Sequence, residues 1–349
     1  MALQHLAPEL LVHIFESLSS VSDIISLSLT CRYFHALLPK SHKLVLFFSA
    51  IDQEMGPLED ILQLLTQNDN EIIHLRRSPP LSFTLLTQAT AVARVAQRFV
   101  ELYPGFRWAD ENSPHRRVLV DCEARKLRRA VYRLWSYTQA FCSKSSFPHL
   151  RSAISSSAER LQLLRSWSTP HLLELEDFRC TLERLLAIEI CPTDGEVYSR
   201  TSEDAKLPHP PSQYFPSHHF MGSTPVIQEF FHDSRESSFP DQKASIQELR
   251  FRHMRGWGSD LQNFYLVQSF LKFSPAQILW LFDNAVSKTD VERFIELHSH
   301  DPCFFDSGSL LFSDWVTVLH GRGVDVQEAR EAIWDGNAGI VIKNSTEEC

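Results

Sequence analysis

The chain has 349 residues, 43% of them hydrophobic and 22% charged, with a formal net charge of -9. That length suits about two or three globular domains, and the composition excludes a disordered chain. The acidic balance excludes a global basic field that would gather nucleic acid, and the longest apolar run, Leu44 to Ile51, is far shorter than the ~18 residues that span a bilayer.

The first predicted elements lie in Leu6 to Leu38. Leu10, Leu11, Ile14, Phe15 and Leu18 recur at helical spacing. Pro8 stands where a first turn tolerates proline, and Glu9 suits the positive end of the helix dipole. Ser19 to Ser22 break the pattern, and Ser22 or Asp23 is expected to cap a second helix with Ile24, Leu27 and Cys31 along one side. A third short helix is predicted from Arg32, with Tyr33, Phe34, Leu37 and Leu38 apolar and Pro39 at its end. Three short helices cannot bury all these side chains among themselves, so part of the surface needs a partner.

This stretch resembles an F-box. Leu6, Glu9, Leu10 and Leu11 match the opening of that motif, Ile14, Phe15 and Leu18 its first helix, and Leu27, Leu29, Cys31 and Arg32 its second. Ser28 to Arg32 read SLTCR, an ending frequent in fungal members; Ala7 departs from the usual proline, which stands next door as Pro8. The resemblance implies docking on a Skp-type adaptor, and through it on a cullin–RING ubiquitin ligase, by Leu6, Pro8, Glu9, Leu10, Leu11, Ile14, Phe15, Leu18, Leu27, Leu29, Cys31 and Arg32.

Beyond Pro39, Lys43 to Ile51 reads either as a short strand or as a continuation of the helical bundle. A helix is expected after Pro57, with Leu58, Ile61, Leu62 and Leu65 on one side, ending at Asn68 to Asn70. His74 to Pro80 is a basic turn. A long helix is predicted over Phe83 to Tyr103, stopped by Pro104 and Gly105. A loop, Phe106 to Val120, precedes a helix capped by Asp121 and running from Cys122 to Cys142. Gly56 to Asp60, His74 to Phe83 and Arg125 to Phe141 together look like a run shared by fungal F-box proteins of no settled activity.

Ser143 to Ser157 is serine-rich and reads as a connector, followed by helices over Ala158 to Trp167 and Pro170 to Ile190. Cys191 to Gln242 is rich in proline, histidine and serine and has no sustained period; a long loop or partly disordered insert is expected. Helical patterning returns at Ser245 to Met254, Phe264 to Phe273, Pro275 to Val286, Asp290 to His298, Ser309 to His320 and Val326 to Trp334. Asn337 to Cys349 reads as a short strand or loose tail. No period of about 20 to 50 residues repeats. The expected fold is therefore mainly α: a three-helix F-box over residues 1–40, then an irregular all-helical body without repeats. The body divides into a helical middle region 41–142, a helical connector 143–190, the insert 191–242 and a C-terminal helical region 243–349.

No phosphate-binding, dinucleotide, nucleophile-elbow or zinc-protease motif is present. His298, His300, Asp301 and Cys303 are ligand types in close succession, but a second pair would have to come from Cys191, His209, His218 or His219; no metal is expected. The 7 cysteines are scattered, which argues against a disulfide framework and for a reducing compartment, cytosol or nucleus. Arg125, Arg128, Arg129 and Arg133 concentrate basic charge on one helix, with His115, Arg116, Arg117, Arg76 and Arg77 before it in sequence. They are a candidate patch for an anionic partner, since arginine forks grip phosphate; the competing reading is a solvated face or ion pairs with the chain's surplus acids. The sequence therefore points to a non-catalytic substrate receptor of an SCF-type ubiquitin ligase. It would hold an unidentified protein substrate and need no cofactor, nucleic acid or membrane. An F-box scaffold without ubiquitination substrates, or an enzyme with an unrecognised helical site, are the alternatives.

Overall fold

The computed structural model describes residues 6–37, 40–67, 77–108, 116–142, 153–204, 246–253, 255–299, 304–305 and 308–342. Among these the chain is helical, and no strand is present. Three short helices open it: α1 (Pro8–Glu16), α2 (Val21–Leu29) and α3 (Arg32–Leu37). Then come α4 (Lys40–Met55), α5 (Leu58–Leu65), α6 (Phe83–Arg107), α7 (Asp121–Phe141), α8 (Ala153–Arg165) and α9 (Thr169–Leu185). A π-turn, Leu186–Ile190, extends α9, and α10 (Asp194–Asp204) follows. The last six are α11 (Ile246–His253), α12 (Asp260–Phe270), α13 (Pro275–Asn284), α14 (Lys288–His298), α15 (Leu311–Gly321) and α16 (Val326–Trp334).

Two hydrophobic cores result. Leu11, Phe15, Ile24, Phe34, Leu46 and Ala50 form the smaller one, at the N-terminus. The larger runs from Phe48 to Val341 and draws on the middle, connector and C-terminal regions alike. Helix α4 serves both: Leu46 and Ala50 face the first core, Phe48 and Ile51 the second. The core of the N-terminal unit thus takes in Leu46 and Ala50 of α4, beyond residue 40. The 41–142, 143–190 and 243–349 regions are likewise not separate bodies, because α7 packs between α6 and α9, while α15 packs on α8 and α9.

Local chemistry explains several helix ends. Ser82 Oγ accepts from Leu85 N (3.1 Å) at the start of α6, and Asp325 from Glu328 N (2.9 Å) at α16. Ser274 and Gln277 exchange bonds at α13, as Ser287 and Asp290 do at α14. Arginines cover several C-termini, where the helix carries its negative end. Arg250 donates to Phe282 O (2.6 Å) and Ala285 O (2.9 Å), and Arg322 to Trp167 O (2.6 Å).

Several sequence expectations change. Ser20, not Ser22 or Asp23, caps α2, accepting from Ser22 N (3.2 Å). Of the two readings left open for Lys43 to Ile51, the continued helical bundle holds, as part of α4; Ala338 to Ile342, read as strand or loose tail, forms bends and coil. Pro104 does not stop α6, which runs to Arg107 with Trp108 N bonded to Pro104 O at 3.2 Å. A proline there costs one backbone bond, and burial of Leu102 and Tyr103 on the same helix offsets it. Asp194 to Asp204 is helical, where a long loop or partly disordered insert was expected; residues 205–245 lie outside the described set, as do Asn68–Arg76 and Ser143–Ser152. No disulfide framework was expected, yet Cys122 is disulfide-bonded, while Cys31, Cys142, Cys180 and Cys191 are free thiols. Among the described residues no helix is long and apolar enough to cross a membrane.

Candidate docking surface

Helices α1 to α3 sort their apolar side chains into two groups. Leu11 and Phe15 on α1, Ile24 on α2 and Phe34 on α3 are buried. Phe15 and Phe34 meet edge to face at 6.4 Å, a favoured arrangement of ring quadrupoles. Leu6, Ile14, Leu18, Leu27 and Cys31 pack around this core and are partly buried. Cys31 Sγ also accepts from Phe34 N at 3.5 Å, which starts the turn of α3. Val21 N donates to Glu54 Oε2 (3.1 Å) and ties α2 to α4.

The second group faces solvent. Leu10 is 54% exposed and Leu29 70%. Ile25 and Tyr33 are exposed with them, Ile25 one helical turn before Leu29 on the same face of α2. Pro8, Glu9 and Arg32 are exposed too. The docking residues predicted from sequence thus play two parts. Leu11 and Phe15 are buried in the core of the unit; Pro8, Glu9, Leu10, Leu29 and Arg32 are presented outward. Ile25 and Tyr33 were missed, although the Ile25–Leu29 spacing of four was readable.

Residues 3–42 match the family model described as F-box-like. The N-terminus of this chain is an F-box-like domain. No curated protein and no solved structure matches the chain. In the F-box-like domain the exposed aliphatic residues are thus displayed by a unit whose own core is already filled.

Of the two readings of the α7 arginines, a patch for an anionic partner or a solvated face and ion pairs with the chain's acids, the packing matches the ion pairs. Arg133 Nε lies 3.1 Å from Asp60 Oδ1, and both are buried. Arg129 forks onto Glu174 at 2.8 and 2.9 Å. Arg128 Nε donates to Gly56 O (3.2 Å), and Arg125 reaches Asp52 O (2.7 Å) and its carboxylate (3.2 Å). Arg117 clamps the buried Glu123 at 2.6 Å, and Glu123 in turn accepts from Val120 N, capping α7. Burial pulls Arg128 and Arg133 below the usual guanidinium value and pushes Asp60 and Glu174 above the usual carboxylate value. The physical reason is topology: α7 runs through the middle of the body, so its polar face meets α5 and α9 instead of water. Arg76 and His115 lie outside the described residues, and Arg77 donates to Thr66 O.

Of the metal-ligand types, Cys191 is buried with its thiol on Leu186 O (3.2 Å), and His298 packs on Phe294 at 4.2 Å. His209, His218, His219, His300, Asp301 and Cys303 lie outside the described residues. Among the described residues no group of three or more His, Cys, Asp or Glu could hold a metal ion.

Proposed function

We propose that this chain is the substrate-receptor subunit of an SCF-type ubiquitin ligase. The F-box-like domain docks on a Skp-type adaptor, and the helical body holds a protein substrate near the charged ubiquitin-conjugating enzyme. The role is one of proximity: fixing two reactants side by side replaces a bimolecular encounter with a local one, and it calls for no catalytic group or cofactor in this chain. The observation that carries the reading is the exposed set Leu10, Ile25, Leu29 and Tyr33 on a domain matched as F-box-like. The shared α4 supports it further, since a helix common to both cores fixes the direction in which the body is held.

Co-expression with a Skp-type adaptor tests this. Leu10→Asp with Leu29→Asp places charges where an apolar contact should form, and an uncompensated buried charge costs several kcal/mol. Capture of the adaptor should be lost while the thermal midpoint of the chain stays near that of the parent, because both positions face solvent. Undiminished capture would overturn the docking reading.

A further inference from the structure

Helix α4 turns two different faces to its neighbours. Leu46, Ala50 and Glu54 recur at every fourth position and share one side, while Phe48, Ile51 and Met55 share another. Leu46 and Ala50 belong to the small core of α1 to α3; Phe48 and Ile51 belong to the large core of the body, with Met55 packed against it. Contacts between apolar groups are non-directional, and by themselves they leave the three-helix unit able to slide or roll on α4. A fixed angle needs a directed contact.

Glu54, at the end of the first face, makes that contact. Its Oε2 accepts from Val21 N at 3.1 Å, across 33 residues of chain. Val21 opens α2, and its N–H is one that a helix leaves without an internal acceptor. Ser20 Oγ takes the next, from Ser22 N (3.2 Å), so α2 is held at its start by one local and one remote oxygen. A carboxylate there also meets the positive end of the helix. The Val21 side chain packs against both cores. The last turn of α4, where Glu54 stands, is in turn fastened to the body by α7. Arg125 donates to Asp52 O (2.7 Å), Tyr132 to Met55 O (2.7 Å) and Arg128 to Gly56 O (3.2 Å). Burial above all lowers Arg128, and Glu54 is among the groups that oppose the shift, so the same carboxylate lies within electrostatic reach of α7.

We propose that Glu54 is a positioning residue: by holding the start of α2 to the turn of α4 that α7 clamps, it keeps the F-box-like domain at one angle to the body. The importance of that angle rests on the docking role proposed above, in which the domain meets an adaptor and the body holds a substrate, since proximity acts only at a defined separation. The joint itself stands on the contacts of Glu54 and Val21 and is measured without either partner.

Pulsed electron paramagnetic resonance on the full chain tests it, with spin labels carried by non-natural residues at Ala36 on α3 and Thr87 on α6, both exposed. The parent should give a single narrow distance distribution. Glu54→Ala should lose that narrow peak and spread to a broad range. Glu54→Gln should keep it, because the amide oxygen still accepts from Val21 N. Glu54 is exposed, so neither change opens a cavity, and the thermal midpoint should stay that of the parent in both. Equal widths in all three forms overturn the proposal, as does Glu54→Gln as broad as Glu54→Ala. Broadening that comes only with a lowered midpoint overturns it too, because the residue would then act on folding and not on the angle. Adaptor capture by the parent on the same preparation separates the two readings: a narrow peak without capture strikes the docking role alone, and capture with an unbroadened Glu54→Ala strikes the joint alone.

Discussion

Arg133 and Asp60 form an ion pair 3.1 Å long with both side chains almost wholly buried, and the pair is incompletely satisfied. Arg133 Nη1 and Asp60 Oδ2 are buried without a hydrogen-bond partner. Desolvation of both charges therefore offsets much of their attraction, and breaking the pair leaves a worse state than having none. Arg133→Ala should cost about 3–5 kcal/mol in urea denaturation, and Arg133→Met combined with Asp60→Leu should recover most of that loss. On the same helix Arg125 pairs with Asp52 with both side chains about two-fifths exposed (41% and 42%); Arg125→Ala should cost about 1 kcal/mol or less. Equal losses at the two positions would contradict the inward direction of the basic helix.

Helix α4 makes a second test, because its two faces belong to different cores. Ile51→Ala removes a fully buried side chain from the body and should cost about 2–5 kcal/mol there. Leu46→Ala should cost about as much, but in the N-terminal core. Hydrogen exchange separates them: Leu46→Ala should speed exchange in α1 to α3 while α7 and α9 stay protected. A fragment beginning at residue 41 should expose Leu46 and Ala50 and bind apolar dyes, whereas one that keeps α1 to α3 should not.

The alkaline limit of stability follows from three buried phenols. Tyr103 donates to Asp177, Tyr132 to Met55 O and Tyr137 to Asp314. Burial raises each above the ordinary value of 10.0, with Asp177 adding to it at Tyr103 and Asp314 at Tyr137. A raised folded-state pKa contributes stability that is fully present below the unfolded value and lost as pH rises beyond it. Stability should accordingly fall above pH of about 10, and phenolate absorbance of these three should appear only with unfolding. Tyr137→Phe should lessen the alkaline loss. Reversible ionisation of all seven tyrosines in the folded chain would contradict their burial.

Thiol chemistry reports on docking. Burial pushes Cys142 and Cys180 up to about 12 and raises Cys191 as well, so few thiolates form at these sites at mildly alkaline pH. Cys31 is only partly buried, in the F-box-like domain. Of the four free thiols among the described residues it should be alkylated first, as read by peptide mapping. Saturation with a Skp-type adaptor should slow it, and an unchanged rate would place the contact elsewhere.

Local patterns in the sequence were enough for the helical class, the F-box-like segment and most helix positions. Apolar residues three and four apart, prolines in first turns and Ser–Gln or Ser–Asp capping pairs are all decided within a few residues of chain. The Leu11–Phe15 stripe and the helices from Pro275 to Trp334 were legible for that reason. What the sequence did not decide is which side each polar or apolar face meets. Leu10 and Leu11 are adjacent and chemically alike, yet one is exposed and the other buried. The arginines of α7 could be read from sequence as a patch or as ion-paired, and only tertiary packing names the acids set against them, Asp52, Asp60 and Glu174, up to 73 residues away in sequence. Arg107, Arg184 and Trp334, distant in the chain, meet only where α6, α9 and α16 converge. Helix formation is a local matter of backbone bonding and periodicity; the partner of a charge and the closure of a cavity depend on long-range packing, which no short window of sequence contains.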